Sequence, residues 1–192
     1  MKKVITLQNG SRLNEKQFIN YFEKKVFYTI RKFNLFEGIE QRPQVHELFT
    51  LKKINNAVLS QECLDEISLQ ILQAMMKNKG KQKLASLLPK HKNVIRPFYL
   101  MSKEEMILYM KIKLRGKLSK EYRDCFTKFQ KLEDKKHNNP VNNMHLKQSA
   151  KENLKLSPNN LHLIAFLNEL EKQQRNVKNS IVSSLLKMEN LI

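Results

Sequence analysis

Residues 54–99 read INNAVLSQECLDEISLQILQAMMKNKGKQKLASLLPKHKNVIRPFY and decide the order of the central elements. Two short apolar runs, Ile54–Leu59 and Val94–Tyr99, are strand candidates, and Pro97 limits how centrally the second can pair. Between them, apolar side chains recur every three or four residues, which predicts a helix over Gln61–Lys77 (Leu64, Ile67, Ile71 and Met75). A strand, a helix and a strand in parallel pairing form one βαβ unit.

Two strands alone do not make a stable parallel sheet, because such sheets are covered on both faces and contain more strands. We therefore expect the sheet to be completed either by Lys3–Leu7 with another segment or by a partner chain. Lys3–Leu7 reads as a short strand that ends in the turn dipeptide Asn9-Gly10.

Two capping boxes mark helix starts on either side of this unit. Asn14 with Gln17 precedes a helix that ends near Asn34, and Ser102 with Glu105 precedes a helix through Lys113. The first helix carries an apolar stripe that Ile19 and Phe27 widen (Phe18, Phe22, Val26, Ile30 and Phe33). The chain is therefore predicted to be predominantly helical.

The second half of the chain changes character after residue 113. Lys, Asn and Glu dominate residues 114–156, where we expect one helix near 119–134 and then a loosely ordered insertion. A helix pair follows, the first beginning at Ser157-Pro158, where a cap residue precedes a proline in the first helical position, and the second beginning after Arg175-Asn176. Its apolar faces include Phe166, Leu170, Ile181 and Leu185.

The charge balance indicates a polyanionic partner. The chain of 192 residues has 36 Lys and Arg against 18 Asp and Glu, a formal net charge of +18. Twelve of the basic residues lie between Lys77 and Lys117, opposed there only by Glu104 and Glu105. Because Lys predominates over Arg, we expect contacts to phosphates rather than reading of base edges. A solvated, Lys-rich surface without a ligand is the alternative.

Several function classes are disfavoured by the composition. The four glycines are too far apart for a phosphate-binding loop, so the chain is not expected to be a self-sufficient nucleotide-dependent enzyme. The histidines and the two cysteines, Cys63 and Cys125, show no metal-ligand spacing, and no cofactor or metal is expected. Two cysteines and no apolar run of membrane-spanning length favour a cytoplasmic or nuclear protein that does not enter a membrane, and the resemblance given below favours the cytoplasm.

Four segments together resemble the cytoplasmic tRNA 2-thiolation proteins of the PP-loop superfamily. They are FINYFEKKVFYTIRKFNLF (Phe18–Phe36), NAVLSQECLDEISLQILQAMMKNKGK (Asn56–Lys81), VIRPFYLMSKEEMILYMKIK (Val94–Lys113) and LIAFLNELEKQQRNVKNSIVSSLLKMENLI (163–192). The catalytic members of that family carry an SGGKDS-type loop after the first helix, and this chain has none. The closer resemblance is to a shortened form of the family's second, non-catalytic subunit.

The resemblance implies an α/β, predominantly helical fold: a reduced Rossmann-like PP-loop remnant with few parallel strands and C-terminal helices. It implies a domain over residues 1–134, a flexible insertion over 135–156, and a helical pair over 157–192 that packs on the same domain. It further implies a non-catalytic subunit of a wobble-uridine 2-thiolation complex, which binds tRNA and pairs with a catalytic PP-loop partner as a heterodimer. The alternatives are a free-standing basic RNA-binding or ribosome-associated protein and the loop-less fragment of a split tRNA thiolase.

The candidate site residues follow from the charge pattern and the apolar faces. The expected tRNA contacts come from the first helix and from the basic segment (Lys24, Lys25, Arg31, Lys32, Lys79, Lys81, Lys83, Arg96, Lys111, Lys113, Arg115 and Lys117). The expected partner contacts are the apolar residues of the C-terminal helices (Phe166, Leu170, Ile181 and Leu185). No catalytic residue is expected.

Overall fold

A computed structural model describes residues 4–7, 10–39, 43–77, 81–113 and 158–189 of the chain. These residues form an α/β structure that is predominantly helical. The α-helices are α1 (Glu15–Lys32), α2 (Leu64–Met76), α3 (Lys81–Ala85), α4 (Lys103–Lys113), α5 (Pro158–Gln173) and α6 (Val177–Met188). The strands are β1 (Ile5–Thr6), β2 (Arg12–Leu13), β3 (Lys53–Ile54), β4 (Ala57–Leu59), β5 (Lys90–His91) and β6 (Val94–Ile95), and a short 3₁₀ helix spans Glu47–Phe49.

The central sheet contains the parallel pair that the sequence predicts. β4 and β6 pair in parallel, with Val58 opposite Val94, and α2 connects them. The sheet order is β3-β4-β6-β5, and both outer strands pair antiparallel. The predicted strand Ile54–Leu59 is in fact a hairpin, because Asn55 turns the chain with φ +50°.

The expectation about how the sheet is completed was wrong. Its two flanking strands come from the hairpins on either side of the parallel pair and not from Lys3–Leu7 or a partner chain. The N-terminal strand instead pairs with Arg12–Leu13 in a separate two-stranded hairpin, whose turn contains Gly10 at φ +85°. The second predicted strand is also shorter than expected, since Pro97 lacks an N–H and the chain turns after Ile95.

The two predicted capping boxes are confirmed. The Asn14 side chain accepts a hydrogen bond from the Gln17 N–H, and the Gln17 side chain accepts one from the Asn14 N–H, both at 2.9 Å. Ser102 and Glu105 exchange the corresponding bonds at 3.2 and 2.9 Å at the start of α4. Each box satisfies N–H groups that the first turn of a helix leaves without partners.

An aromatic core lies between α1 and α4. The Phe22 and Tyr109 rings stack with centroids 4.4 Å apart, and Phe49 meets Phe98 at the same distance. The predicted apolar stripe of α1 faces this core through Phe18, Phe22, Val26 and Ile30. Phe27 does not: it lies outside the stripe and is partly exposed.

The C-terminal helices pack on α2. Leu64, Ile67 and Ile71 share a second core with side chains of α6 (Val182, Leu185 and Leu186), whereas Met75, expected on the same face, is exposed. The helix starts predicted at Pro158 and after Asn176 are confirmed. The helix expected near 119–134, the insertion at 135–156 and the boundaries between the predicted domains lie outside the described residues.

One carboxylate joins three helices at this packing. Asp65, at the start of α2, accepts a hydrogen bond from Lys178 Nζ of α6 at 2.6 Å and from the Lys103 N–H at the start of α4 at 2.8 Å. Although burial alone would lower the pKa of the Lys178 ammonium, the Asp65 carboxylate raises it. The ion pair is mostly shielded from water, so it is screened less than a surface pair.

We expect Asp65→Ala to lower the free energy of unfolding by about 2 kcal/mol, because it leaves Lys178 and the Lys103 N–H without their acceptor. Asp65→Asn should cost less, since its amide oxygen still accepts the Lys103 N–H. The matched control is Glu169→Ala, which removes an exposed ion pair with Lys172 and should cost at most about 0.5 kcal/mol. Urea unfolding measures all three; equal losses for Asp65→Ala and Glu169→Ala would contradict the bridging role.

Candidate nucleic-acid interface

Three of the four cations predicted on α1 lie together on the helix surface that faces away from the core. Lys24, Arg31 and Lys32 are exposed, and so are the two aromatic residues between them, Phe27 and Tyr28. We call these five residues the α1 outer face. Residues three or four apart on a helix have Cβ atoms about 5–6 Å apart, so the side chains of this face are neighbours.

The cations of the α1 outer face are not neutralised within the described part of the chain. No described carboxylate lies within ion-pair distance of Lys24, Arg31 or Lys32. The sequence places no acidic residue three or four positions from any of them on α1. The helix dipole favours Arg31 and Lys32 in the last turn but has no such effect on Lys24 in the middle.

The fourth predicted cation, Lys25, faces inward. Its ammonium lies 2.8 Å from Glu105 Oε2 of α4, and the same carboxylate accepts a hydrogen bond from Tyr21 Oη at 2.9 Å. Burial and the Glu105 charge raise the pKa of Tyr21, so the phenol stays a donor. Lys25 therefore joins α1 to α4, while its neighbour Lys24 is left for solvent or a ligand.

A second basic element meets the C-terminal end of α1. Lys90 Nζ of β5 lies 3.0 Å from Glu37 Oε2 and 3.3 Å from the Asn34 carbonyl oxygen, which brings the β5–β6 turn to this end of the helix. Lys92 in that turn is exposed and has φ +53°. A cleft of about 270 Å³ at the C-terminal end of α1 is lined by Ile30, Arg31, Asn34, Phe36 and Glu37. The β5–β6 turn, with the exposed Lys92, therefore lies near the C-terminal end of α1, where Glu37 neutralises Lys90.

The structure corrects the expectation for Arg96. Its side chain is buried (6% exposed), Nε bonds Glu62 Oε2 at 2.7 Å, and its two Nη atoms donate to the carbonyl oxygens of Leu88 and Ser86. All three guanidinium nitrogens are thus used inside the fold, where they join the chain after α3 to the end of β6. A buried guanidinium needs such partners, and it is not available to a phosphate.

The remaining predicted cations are distributed over other elements. Lys81 and Lys83 are exposed on α3, which packs against α2. Lys111 and Lys113 are exposed at the end of α4, and Lys113 lies 3.2 Å from Glu23 of α1. Lys79, Arg115 and Lys117 lie outside the described residues.

The predicted partner face of the C-terminal helices is only partly exposed. Phe166 is 54% exposed on α5, and Leu170 is half-buried. Leu185 is buried (2% exposed), and Ile181 packs beside it against the second core. The expectation for these two residues is corrected, because α6 uses them to pack on α2.

The aromatic pair Phe27 and Tyr28 was missed as part of the site. Phe27 follows Val26, which is fully buried, and one residue turns an α-helix by about 100°. This rotation takes Phe27 away from the buried face, so the sequence contained the signal. With Phe27 assigned to the apolar stripe, the exposure of its ring was not predicted.

Cys63 is buried at the start of α2, and burial raises the pKa of its thiol above the ordinary value. Among the described residues, no group of three or more His, Cys, Asp or Glu side chains is placed to hold a metal ion. Within the same residues, no helix combines the length and the apolar character that crossing a membrane requires.

Comparisons with known proteins found no relative: no family model, no curated protein and no solved structure matches this chain. The function is therefore inferred from the site itself, together with the family resemblance of the four quoted segments.

The Glu62–Arg96 pair makes the free energy of unfolding depend on pH. Burial would raise the pKa of Glu62, but hydrogen bonds from Gln70, Arg96 and Ser60 lower it below the ordinary value of 4.5. Glu66, one helical turn on, has its pKa raised above that value by burial. A lowered carboxyl pKa stabilises the folded state above the unfolded-state pKa, and this contribution is lost as pH falls through the folded-state pKa.

We therefore expect the stability difference between the native chain and Glu62→Gln to shrink as the pH falls below about 4.5. For Glu66→Gln the opposite is expected. The free energy of unfolding of the native chain should rise relative to this variant as the pH falls, beginning above that pH, because the folded state binds the Glu66 proton more tightly than the unfolded state does. Urea unfolding between pH 7 and pH 3 measures both. A Glu62→Gln difference that does not change over this range would show that Gln70, Arg96 and Ser60 do not hold Glu62 in its charged form.

Proposed function

We propose that this protein binds RNA through the α1 outer face and acts by binding rather than by catalysis. The observation that carries the proposal is the set of three exposed cations, Lys24, Arg31 and Lys32, that no described carboxylate neutralises. The formal net charge of +18 agrees with a polyanionic ligand.

Binding would follow the physics of phosphate neutralisation. Each phosphate that a Lys or Arg neutralises releases condensed counterions into solution, so affinity falls as salt rises. Lys side chains act as mobile point charges, which suits contact with a backbone and gives little base specificity. Lys92 in the β5–β6 turn is also exposed, and Lys90 of the same hairpin contacts the Asn34 carbonyl oxygen just after α1, so a further cation lies near the C-terminal end of the helix.

We expect the triple variant Lys24→Gln, Arg31→Gln, Lys32→Gln to bind RNA about tenfold more weakly at low salt and to lower the slope of log K against log salt by about 2. The matched control removes three exposed cations elsewhere (Lys53→Gln, Arg175→Gln and Lys187→Gln) and changes net charge equally. Fluorescence anisotropy with labelled tRNA, an unstructured RNA and a DNA duplex gives affinities and slopes. Equal losses of RNA affinity in the two triple variants would show a non-specific charge effect and overturn the proposal. Tighter binding of the DNA duplex than of either RNA would assign DNA as the ligand instead.

The resemblance to the tRNA 2-thiolation proteins gives the proposal a more specific form. In this form the RNA is tRNA, the sheet around β4 and β6 is a reduced PP-loop remnant, and a catalytic PP-loop partner supplies ATP-dependent activation and sulfur transfer at the wobble uridine. Phe166 and Leu170 of α5 are the described residues that remain for the contact with that partner. The four quoted segments support this form; the comparisons add nothing to it.

Depletion of the protein from its source cells tests the specific form separately. We expect wobble 2-thiouridine in bulk tRNA to fall, and tagged protein to co-purify with a chain that carries an SGGKDS-type loop. Unchanged thiolation together with ribosomal partners would favour a free-standing RNA-binding protein. ATP pyrophosphatase activity that appears only when the two chains are mixed would instead identify one half of a split enzyme.

A further inference from the structure

Two aromatic rings lie on the α1 outer face without being part of the core. Phe27 is 37% exposed and Tyr28 is 49% exposed, whereas Phe18 and Phe22 on the opposite side of α1 are fully buried. The packing of the fold therefore does not account for aromatic side chains at these two positions. An aliphatic or polar residue would serve a solvent-facing helix position equally well.

The rings are surrounded by the cations already described. Lys32 Nζ lies 5.7 Å from the centroid of the Tyr28 ring. Lys24 precedes Tyr28 by one helical turn and Arg31 follows Phe27 by one turn, so each ring has a cation beside it along the helix. An apolar protein segment is a poor match for this surface, because it would bury the charged groups along with the rings.

Single-stranded nucleic acid matches both features of the surface. Proteins that bind single strands combine cations that follow the phosphates with aromatic side chains on which bases stack, and every base has a face that can stack. In a double helix the base faces are already covered by their neighbours, so a duplex offers only its phosphates to such a surface.

We propose that Phe27 and Tyr28 stack against unpaired bases, so that the ligand of the α1 outer face is a single-stranded segment of RNA. Lys24, Arg31 and Lys32 hold the phosphates around the stacked bases, and Lys32 also lies against the Tyr28 ring. This inference rests on the proposed RNA binding and adds the structural class of RNA that is bound.

The first test removes the rings and keeps the apolar character and the charge. We expect Phe27→Leu with Tyr28→Leu to weaken binding of a 20-nucleotide oligouridylate by at least about fivefold, the lower end of the range for the loss of a single stacked base. Binding of an abasic oligomer with the same number of phosphates should be unchanged, as should the salt slope. The matched control is Phe166→Leu, which removes an exposed ring from α5.

The second test reports stacking directly. The chain contains no Trp, so Tyr28→Trp introduces a single tryptophan whose emission is free of background from others. We expect oligouridylate and the matching oligodeoxythymidylate to quench this emission, the abasic oligomer to leave it unchanged, and Phe166→Trp to respond to none of them. Tighter binding of the deoxy oligomer would assign the site to single-stranded DNA.

The two proposals fail in different ways. If the Lys24, Arg31 and Lys32 triple variant binds RNA like its charge-matched control, the proposed function is wrong, whatever the rings do. If that triple variant loses affinity but the leucine variants bind oligouridylate normally and Tyr28→Trp emission does not change, only the stacking inference is wrong. Equal losses of the leucine variants on oligouridylate and on the abasic oligomer would also overturn it, since they would indicate a disturbed helix.

Discussion

The orientation of α1 depends on the carboxylate of Glu105. It accepts hydrogen bonds from Tyr21 Oη and Lys25 Nζ of α1 while also capping the N-terminus of α4 through the Ser102 N–H. Because Glu105 bonds both helices, its hydrogen bonds to Tyr21 and Lys25 fix the rotation of α1 about its own axis. The packing of α1 on the aromatic core fixes the same rotation. Lys24, the residue before Lys25, is thereby directed away from α4.

Other carboxylates inside the fold are used in the same way. Glu62 pairs with Arg96, Asp65 pairs with Lys178 and accepts the Lys103 N–H, and Glu23 bonds Tyr109 Oη at 2.7 Å. Each of these acidic groups joins elements that are distant in sequence. With only 18 acidic residues against 36 basic ones, the acids used at helix junctions leave few to neutralise the outer surface. The exposed cations of α1 follow from this distribution.

Local features of the fold were predictable because they depend on residues close in sequence. The capping boxes at Asn14 and Ser102, the buried stripe of α1 and the parallel pairing of the strands on either side of α2 all follow from spacing. The completion of the sheet by β3 could not be predicted from spacing. It depends on Asn55, which adopts a positive φ and divides one apparent strand into a hairpin. A positive φ at a non-glycine residue is a weak signal in a single sequence.

The candidate site was harder to predict than the fold because a count of cations says nothing about their partners. Lys24 and Lys25 are identical and adjacent in sequence, yet one faces solvent and the other bonds Glu105, a residue eighty positions away. Arg96 belongs to the same basic segment as Lys81 and Lys83 but is buried against Glu62. What separates an exposed cation from a structural one in this protein is the position of a carboxylate that is remote in sequence. Tertiary packing therefore determines which cations stay exposed on the candidate surface, although composition alone already points to a polyanion.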